Sequence, residues 1–278
     1  MAESTEARAD LHLHSIFSDG QDEPAELVRK ASQKGLSVIS LTDHDTINGV
    51  SEAVKAGEEF KIEVIAGAEL STMFHNLDIH ILGYFIDMEN PGLNQALARF
   101  AEARRSRAEK MVKKLQAQGL SIEFEDVKKL AGKGRIGRPH LARALVQIGA
   151  VQSFDEAFHK FIGTHCQAYV HKYDIKPAEA VDLIHDAGGL AILAHPLTGR
   201  EGETEVLEIL ESGLDGMEVI HPKLSPKDSE RLRRIAEDRG ILLTGGSDYH
   251  GESHGPGALG ECTVPVSYVQ ALKKALRD

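Results

Sequence analysis

The chain has 278 residues, 41% hydrophobic and 27% charged, which is enough to bury a full core and excludes a disordered or fibrous protein. A net charge of −11 and the absence of Trp argue against a general polyanion-coating protein and against an aromatic platform for long nucleic-acid strands, while leaving room for a local basic pocket. Two cysteines without Cys-x-x-Cys spacing, a polar N-terminus and no apolar run near ~20 residues point to a cytoplasmic protein with no membrane span, signal peptide or disulfide framework.

From the N-terminus, short β-type runs alternate with helical ones. Residues 9–14 read as a strand and 24–34 as a helix, with Asp22 and Glu23 at its positive end, Pro24 near its start and Gly35 stopping it. A strand over 36–42, a helix over 47–60 and strands over 62–68 and 78–84 follow. Near Pro177 the alternation resumes: helix to 186, strand 190–194, helix 203–211, strand 216–220, helix 226–239, strand 241–244 and a closing helix 267–277. Seven apolar strands separated by helices predict parallel βα units closed as a barrel, an α/β fold. Between about 90 and 173 the alternation stops, and helical patterns at 93–118, 124–131, 139–148 and 153–162 predict an all-helical insertion. The expected division is barrel over 9–90, insertion over 91–173 and barrel again over 174–278.

Fourteen histidines are an unusual supply, and their placement is informative. The first strand ends Asp10-Leu11-His12-Leu13-His14, where i and i+2 share a face, so both imidazoles project together. Alone, this pair also fits two hydrogen-bonded core histidines. It is followed by Asp19 in a turn, by Thr42-Asp43-His44-Asp45, Gly67-Ala68-Glu69, His80, Ala194-His195-Pro196, His221-Pro222 and Gly246-Ser247-Asp248-Tyr249-His250. Almost every predicted strand thus delivers a His, Asp or Glu near its carboxyl end, and in a parallel barrel those ends meet at one mouth. Nitrogen and carboxylate donors without thiolate favour Mn, Fe or Zn, and the supply serves two or three divalent ions. Carboxylate-bridged ions ~3.5–4 Å apart suit phosphoester hydrolysis.

Five motifs, Asp10-Leu11-His12-Leu13-His14-Ser15, Thr42-Asp43-His44-Asp45, Gly67-Ala68-Glu69, Ala194-His195-Pro196 and Gly246-Ser247-Asp248-Tyr249-His250-Gly251, in this order over nearly the whole chain, resemble the polymerase-and-histidinol-phosphatase (PHP) family of metallo-phosphoesterases. The helical insertion with Gly137-Arg138-Pro139-His140 is similar to the branch that removes the 3′-phosphate of 3′,5′-bisphosphonucleotides and trims short RNA from its 5′ end. The resemblance implies a distorted seven-stranded (β/α) barrel with a trinuclear site. It places His12, His14, Glu69 and Asp248 on a first ion, Glu69, His80 and His195 on a second, and Asp19, His44 and His250 on a third, with Asp19 standing where other members have histidine. His75 lies close to His80 as an alternative. Manganese is the first expectation, iron or zinc the next, and a metal-activated hydroxide attacking phosphorus is the implied chemistry, with Glu69 and Asp248 at the reaction centre.

His221 is surplus to that count. It fits a contact to phosphate or leaving group, an additional ligand, or an orienting partner. Arg135 and Arg138, just before a helix start, read either as exposed cations or, beside the resemblance, as a second phosphate pocket, and the neighbouring His140 fits either a phosphate contact or a helical packing role. Arg104, Arg105 and Arg107 read as solvated helix charge, Asp43 and Asp45 as orienting partners of ligand histidines, and His254 as a residue at the mouth. The expected substrate is a phosphorylated nucleotide or short RNA, with no stable long nucleic-acid complex. Histidinol-phosphate hydrolysis is the alternative, and a barrel amidohydrolase ranks lower, because its metals are commonly bridged by a modified lysine where this chain offers Glu69.

Overall fold

The computed structural model describes residues 7–171, 173, 175–252 and 255–277. The first half of the barrel runs β1 (Arg8–Leu13), α1 (Pro24–Gln33), β2 (Val38–Leu41), α2 (Val50–Phe60), β3 (Glu63–Phe74) and β4 (Leu77–Tyr84). The insertion contributes α3 (Pro91–Ala117), α4 (Phe124–Ala131), α5 (Arg138–Gln147), α6 (Phe154–Ala157) and a π-helical turn at Phe158–Ile162. The second half is α7 (Pro177–Asp186), β5 (Leu190–Leu193), α8 (Glu203–Leu210), β6 (Gly216–Ile220), α9 (Pro226–Arg239), β7 (Leu242–Gly245), β8 (Val264–Pro265) and α10 (Val266–Ala275).

The strands form one sheet in the order β7-β6-β5-β4-β3-β2-β1-β8. Its ends meet where the chain after β7 bridges to β1: the Tyr249 carbonyl accepts from the His14 N–H at 2.9 Å, and Leu13 pairs with Tyr249 in parallel. Gly246 makes that approach possible, since a Cβ there would lie 2.5 Å from the backbone nitrogen of His12.

One strand departs from the parallel expectation. β4 is antiparallel to both β3 and β5. β3 continues to Phe74, well past the predicted end, and only His75 and Asn76, both with positive φ (46° and 66°), separate it from β4. A two-residue connection makes a hairpin and cannot hold a crossover helix. The short β8, antiparallel to β1, is a further strand that the sequence pattern does not announce.

Asn90 caps α3 by accepting from the Leu93 N–H at 2.9 Å, and Pro91 fits its first turn. This helix belongs to two cores. Leu93, Leu97 and Phe100 pack with Ile81, Ile184 and Met217 of the barrel, whereas Met111, Val112 and Leu115 pack with Val127, Leu141 and Leu145 of the insertion. The insertion therefore has an apolar core of its own and stands over the barrel on a shared helix. Among the described residues no helix is long and apolar enough to cross a membrane.

Candidate metal centre

The carboxyl end of β1 buries His12 and His14 completely, with alternation turning Leu11 and Leu13 into apolar clusters on the opposite face. Between them and the opposite wall lies Glu69 of β3, also fully buried. Its Oε2 faces His12 Nε2 at 3.3 Å, His14 Nε2 at 3.2 Å and His44 Nδ1 at 2.9 Å. Its Oε1 faces His80 Nδ1 at 2.8 Å and His195 Nε2 at 3.1 Å. Asp248 Oδ1 approaches the same His12 and His14 nitrogens at 3.4 and 3.2 Å. Asp19 Oδ1 lies 3.3 Å from His250 Nε2 and 4.0 Å from His44 Nε2. Residues spread from 12 to 250 thus converge on one rim. His80 reaches it from the middle of the antiparallel β4, because β3 overshoots the mouth and pairs Ser71 with His80. His75 sits at the exposed hairpin tip beside Glu208.

Three sets of donors lie close enough to hold an ion each: His12, His14 and Glu69; His44, Glu69 and His80; and His14, Asp19, His44 and His250. Six of their buried atoms, His12 Nε2, His14 Nε2, Asp19 Oδ1, His44 Nδ1, Glu69 Oε2 and His80 Nδ1, have no hydrogen-bond partner. Buried polar atoms left so are costly, and donors that face one another without hydrogen-bonding are the pattern expected of ligands sharing a cation. The charge balance agrees. Burial pushes Glu69, Asp248 and Asp19 up, yet the surrounding imidazoles hold all three well below the ordinary carboxylate range. Burial pushes His14 and His80 down, but neighbouring carboxylates, Glu69 among them, outweigh it and lift them to about 10 and about 9. The cluster demands positive charge, and nitrogen with oxygen donors fits divalent metals.

A model of the PHP domain matches residues 10–177, more than half of the chain. The chain belongs to the PHP domain family. It is 37% identical over 245 residues to a 5′-3′ exoribonuclease of Haemophilus influenzae, covering 87% of this chain and 89% of the relative. It is 32% identical to the 3′,5′-nucleoside bisphosphate phosphatase of Chromobacterium violaceum, covering 90% and 89%. A crystal structure from Bifidobacterium adolescentis, of a protein assigned as a metal-dependent phosphoesterase, superposes with a TM-score of 0.87 at 32% identity over 95% of this chain and 94% of that one.

Around the PHP rim, the backbone is held in uncommon shapes. Asp45, His195 and Asp248 have φ of 52°, 33° and 50°, a left-handed region that non-glycine residues rarely enter and that concentrates at working sites. Glu218 of β6, fully buried, accepts from His12 Nδ1 at 3.1 Å and from the His195 backbone N–H at 2.7 Å, which fixes one ring and one strand end at once. The only sign of this role in the sequence is an acid in the middle of an apolar strand. Asp43 accepts from Ser15 and Ser18, and Ser18 Oγ lies 3.4 Å from His14 Nδ1, so its hold on that ring is indirect.

The structure places the remaining residues as follows. His221 is buried and does not face the open mouth: its Nδ1 accepts from the Lys223 N–H, and its Nε2 lies 3.3 Å from Asp248 Oδ2. It holds Asp248 from behind. His140 is buried inside the insertion, where its Nδ1 accepts from the Gly137 N–H at 3.0 Å and burial lowers it to about 4, so it packs a helix start instead of meeting phosphate. Arg135 lines a separate cavity with Asn48, Asn94 and Arg105. Arg104 and Arg107, by contrast, are half-buried and hydrogen-bonded rather than free in solvent. Arg104 donates to Asp45 at 2.6 Å and to Ser71 at 3.0 Å, and Arg107 donates to the Val170 carbonyl at 2.7 Å. Asp45 therefore ties the insertion to the rim and does not orient a histidine. Arg105, paired with Glu109, is the solvated one. His254 lies outside the described residues.

Among the described residues, two of the cavities that meet this rim are lined by basic side chains. The first, about 190 Å³, runs under the insertion and is lined by Arg104, Arg107 and Arg138 together with Phe100, Phe158 and Tyr173. Arg138 lies over the rings of Phe158 (5.4 Å) and Tyr169 (5.8 Å). The second, about 500 Å³, reaches Glu69, His195, Asp248 and His250 and is bounded by Arg143 and Lys223. Asp19, His44, His80, Pro139 and Phe158 line both.

Proposed function

We propose that this PHP-family chain is a divalent-metal-dependent phosphoesterase of the cytoplasm that removes the 3′-phosphate of 3′,5′-bisphosphonucleotides and trims short 5′-phosphorylated RNA. The observation that carries the reading is Glu69, whose two buried oxygens meet five imidazoles within 3.3 Å beside an arginine-lined cavity. His12, His14, Glu69 and Asp248 would hold one ion, Glu69, His80 and His195 a second, and Asp19, His44 and His250 a third. When bound, the ions, manganese foremost and iron or zinc next, acidify water and neutralise the phosphoryl oxygens.

The chain's own groups do the rest. Arg138 and Arg107 hold the terminal 5′-phosphate of the substrate, and Arg104 secures the insertion against Asp45 so that these guanidinium groups keep their place. Phe100 and Tyr173 flank the nucleoside. His221 and Glu218 fix Asp248, His12 and the His195 strand end. In both substrates the bond that breaks joins phosphorus to the 3′-oxygen of the nucleotide held by the insertion. The oxygen of water ends on phosphorus and a proton on that 3′-oxygen. The bisphosphate cavity disfavours a small monophosphate such as histidinol phosphate, which leaves Arg107 and Arg138 without a phosphate to hold.

The test is a panel with added manganese: a 3′,5′-bisphosphonucleotide, a 5′-phosphorylated oligoribonucleotide, histidinol phosphate and an amide. Turnover of the first two, abolished by a chelator, is expected. Turnover confined to histidinol phosphate or the amide overturns the reading.

A further inference from the structure

We propose that the second cavity is a channel for the strand downstream of the scissile phosphate, with Arg143 and Lys223 as its phosphate contacts; this rests on the function proposed above. The two cavities lie on either side of the rim ligands Asp19, His44 and His80, and helix α5 spans both. Its Arg138 lines the first, Pro139 both, and Arg143 the second. Across the second cavity, Lys223 stands just after β6.

The cavities differ in what they can accept. The first is small, lies under the insertion and offers the guanidinium groups of Arg107 and Arg138, Arg104 being paired with Asp45. That suits a chain end, because a terminal phosphomonoester carries nearly two negative charges at neutral pH. The second is larger and carries one arginine and one lysine. Each diester carries a single charge, so sparse cations match a strand, and the larger volume of the second cavity leaves room for further nucleotides. The scissile phosphate between them lies over Glu69 and Asp248, which line the second cavity. A bisphosphonucleotide fills the first cavity and the rim. An oligonucleotide adds nucleotides only on the Arg143–Lys223 side.

The experiment compares kcat/KM of the manganese-loaded enzyme on a 3′,5′-bisphosphonucleotide and on 5′-phosphorylated tri- and pentaribonucleotides, for the wild type, Arg143→Ala/Lys223→Ala and the charge-keeping Arg143→Lys/Lys223→Arg. The double alanine variant is expected to lose about tenfold more on the pentanucleotide than on the bisphosphonucleotide. Its salt dependence on the long substrate should fall by about 0.7 in log–log slope per lost phosphate contact, with the charge-keeping variant restoring both. Equal losses at every length, or no loss at any, overturn the channel. Fluorescence anisotropy with a 5′-phosphorylated oligonucleotide bearing a non-hydrolysable methylenephosphonate linkage gives an independent reading. If affinity rises with strand length in the wild type and not in the double alanine variant, the channel stands even where turnover fails and the catalytic reading falls; length-independent affinity in the wild type sinks it.

Discussion

The two halves of the mouth are electrostatic opposites. On the barrel side, carboxylates outweigh what surrounds them, and His14 and His80 are lifted to about 10 and about 9. On the insertion side cations are in excess: burial and the neighbouring charge of Arg138 bring Arg107 down to about 10. The halves also differ in how their polar atoms are satisfied. Arg104 and Arg107 have direct hydrogen-bond partners and Arg138 lies over two rings, whereas six buried donor atoms on the barrel side have none. A half with paired cations is rigid in itself and needs only an anion. A half with orphaned donors is completed by a cation of high charge. The mouth is thus built to take metal from one side and phosphate from the other.

The largest break in this contrast comes from Glu69→Gln. The amide keeps the shape and removes the charge that all five imidazoles face. Metal content should fall well below that of the wild type, and phosphoester turnover by at least about a thousandfold, several kcal/mol of transition-state stabilisation. Full metal occupancy with normal turnover, by elemental analysis and steady-state kinetics, would remove Glu69 from the centre.

Proton competition sharpens the same side. In the metal-free protein His14 and His80 are protonated at neutral pH, so bound metal must displace those protons. Apparent metal affinity should therefore rise with pH, by about tenfold per unit for each proton displaced, and level off near pH 9–10. The sign for the metal-free fold is the reverse: stability from these raised histidines is fully present below about pH 6.5 and lost as pH climbs through 9 and 10. Calorimetry in two buffers of different ionisation enthalpy counts the released protons at pH 7, where zero would contradict this account.

Next in size is Glu218→Ala. It removes the carboxylate that holds the His12 ring and the His195 strand end, and leaves every donor in place. Metal affinity should weaken by about 10–100-fold, as for other groups that orient ligand histidines, with little change in the KM of substrate at saturating metal. A shifted KM at unshifted metal affinity would mean that Glu218 serves the substrate instead.

How far the sequence carries the reader follows from the same contrast. The barrel donors were legible because β alternation puts His12 and His14 on one face and strand ends converge by topology. The direction of β4 was not, because β3 reads as ending near residue 68; only when it runs on to Phe74 does the two-residue turn at His75-Asn76 force a hairpin. Glu218 could have been found as a charge inside Gly216–Ile220, a strand buried over its first four residues. The insertion was harder. A 27-residue helix rich in Ala, Arg and Lys shows which residues share a face, yet which face meets the rim depends on packing against β3, and so Arg104 and Arg107 looked solvated while Arg135 looked functional.

The smallest expected effect separates those arginines. Arg138→Ala removes a guanidinium from the first cavity, and a lost charge-assisted contact of about 1.5–3 kcal/mol predicts roughly a 10–100-fold fall in kcat/KM on a 3′,5′-bisphosphonucleotide, with a much smaller fall on a simple aryl phosphate. Arg135→Ala changes a side chain that lines another cavity, and its backbone N–H still donates to the Phe17 carbonyl at 2.9 Å. It should cost at most about twofold on either substrate, within the ±0.5 kcal/mol usual for substitutions away from such contacts. Measured side by side, the pair tests whether phosphate recognition belongs to the rim-facing arginines; a bisphosphate-selective loss in Arg135→Ala equal to that in Arg138→Ala would move the second phosphate to the far side of Asp45.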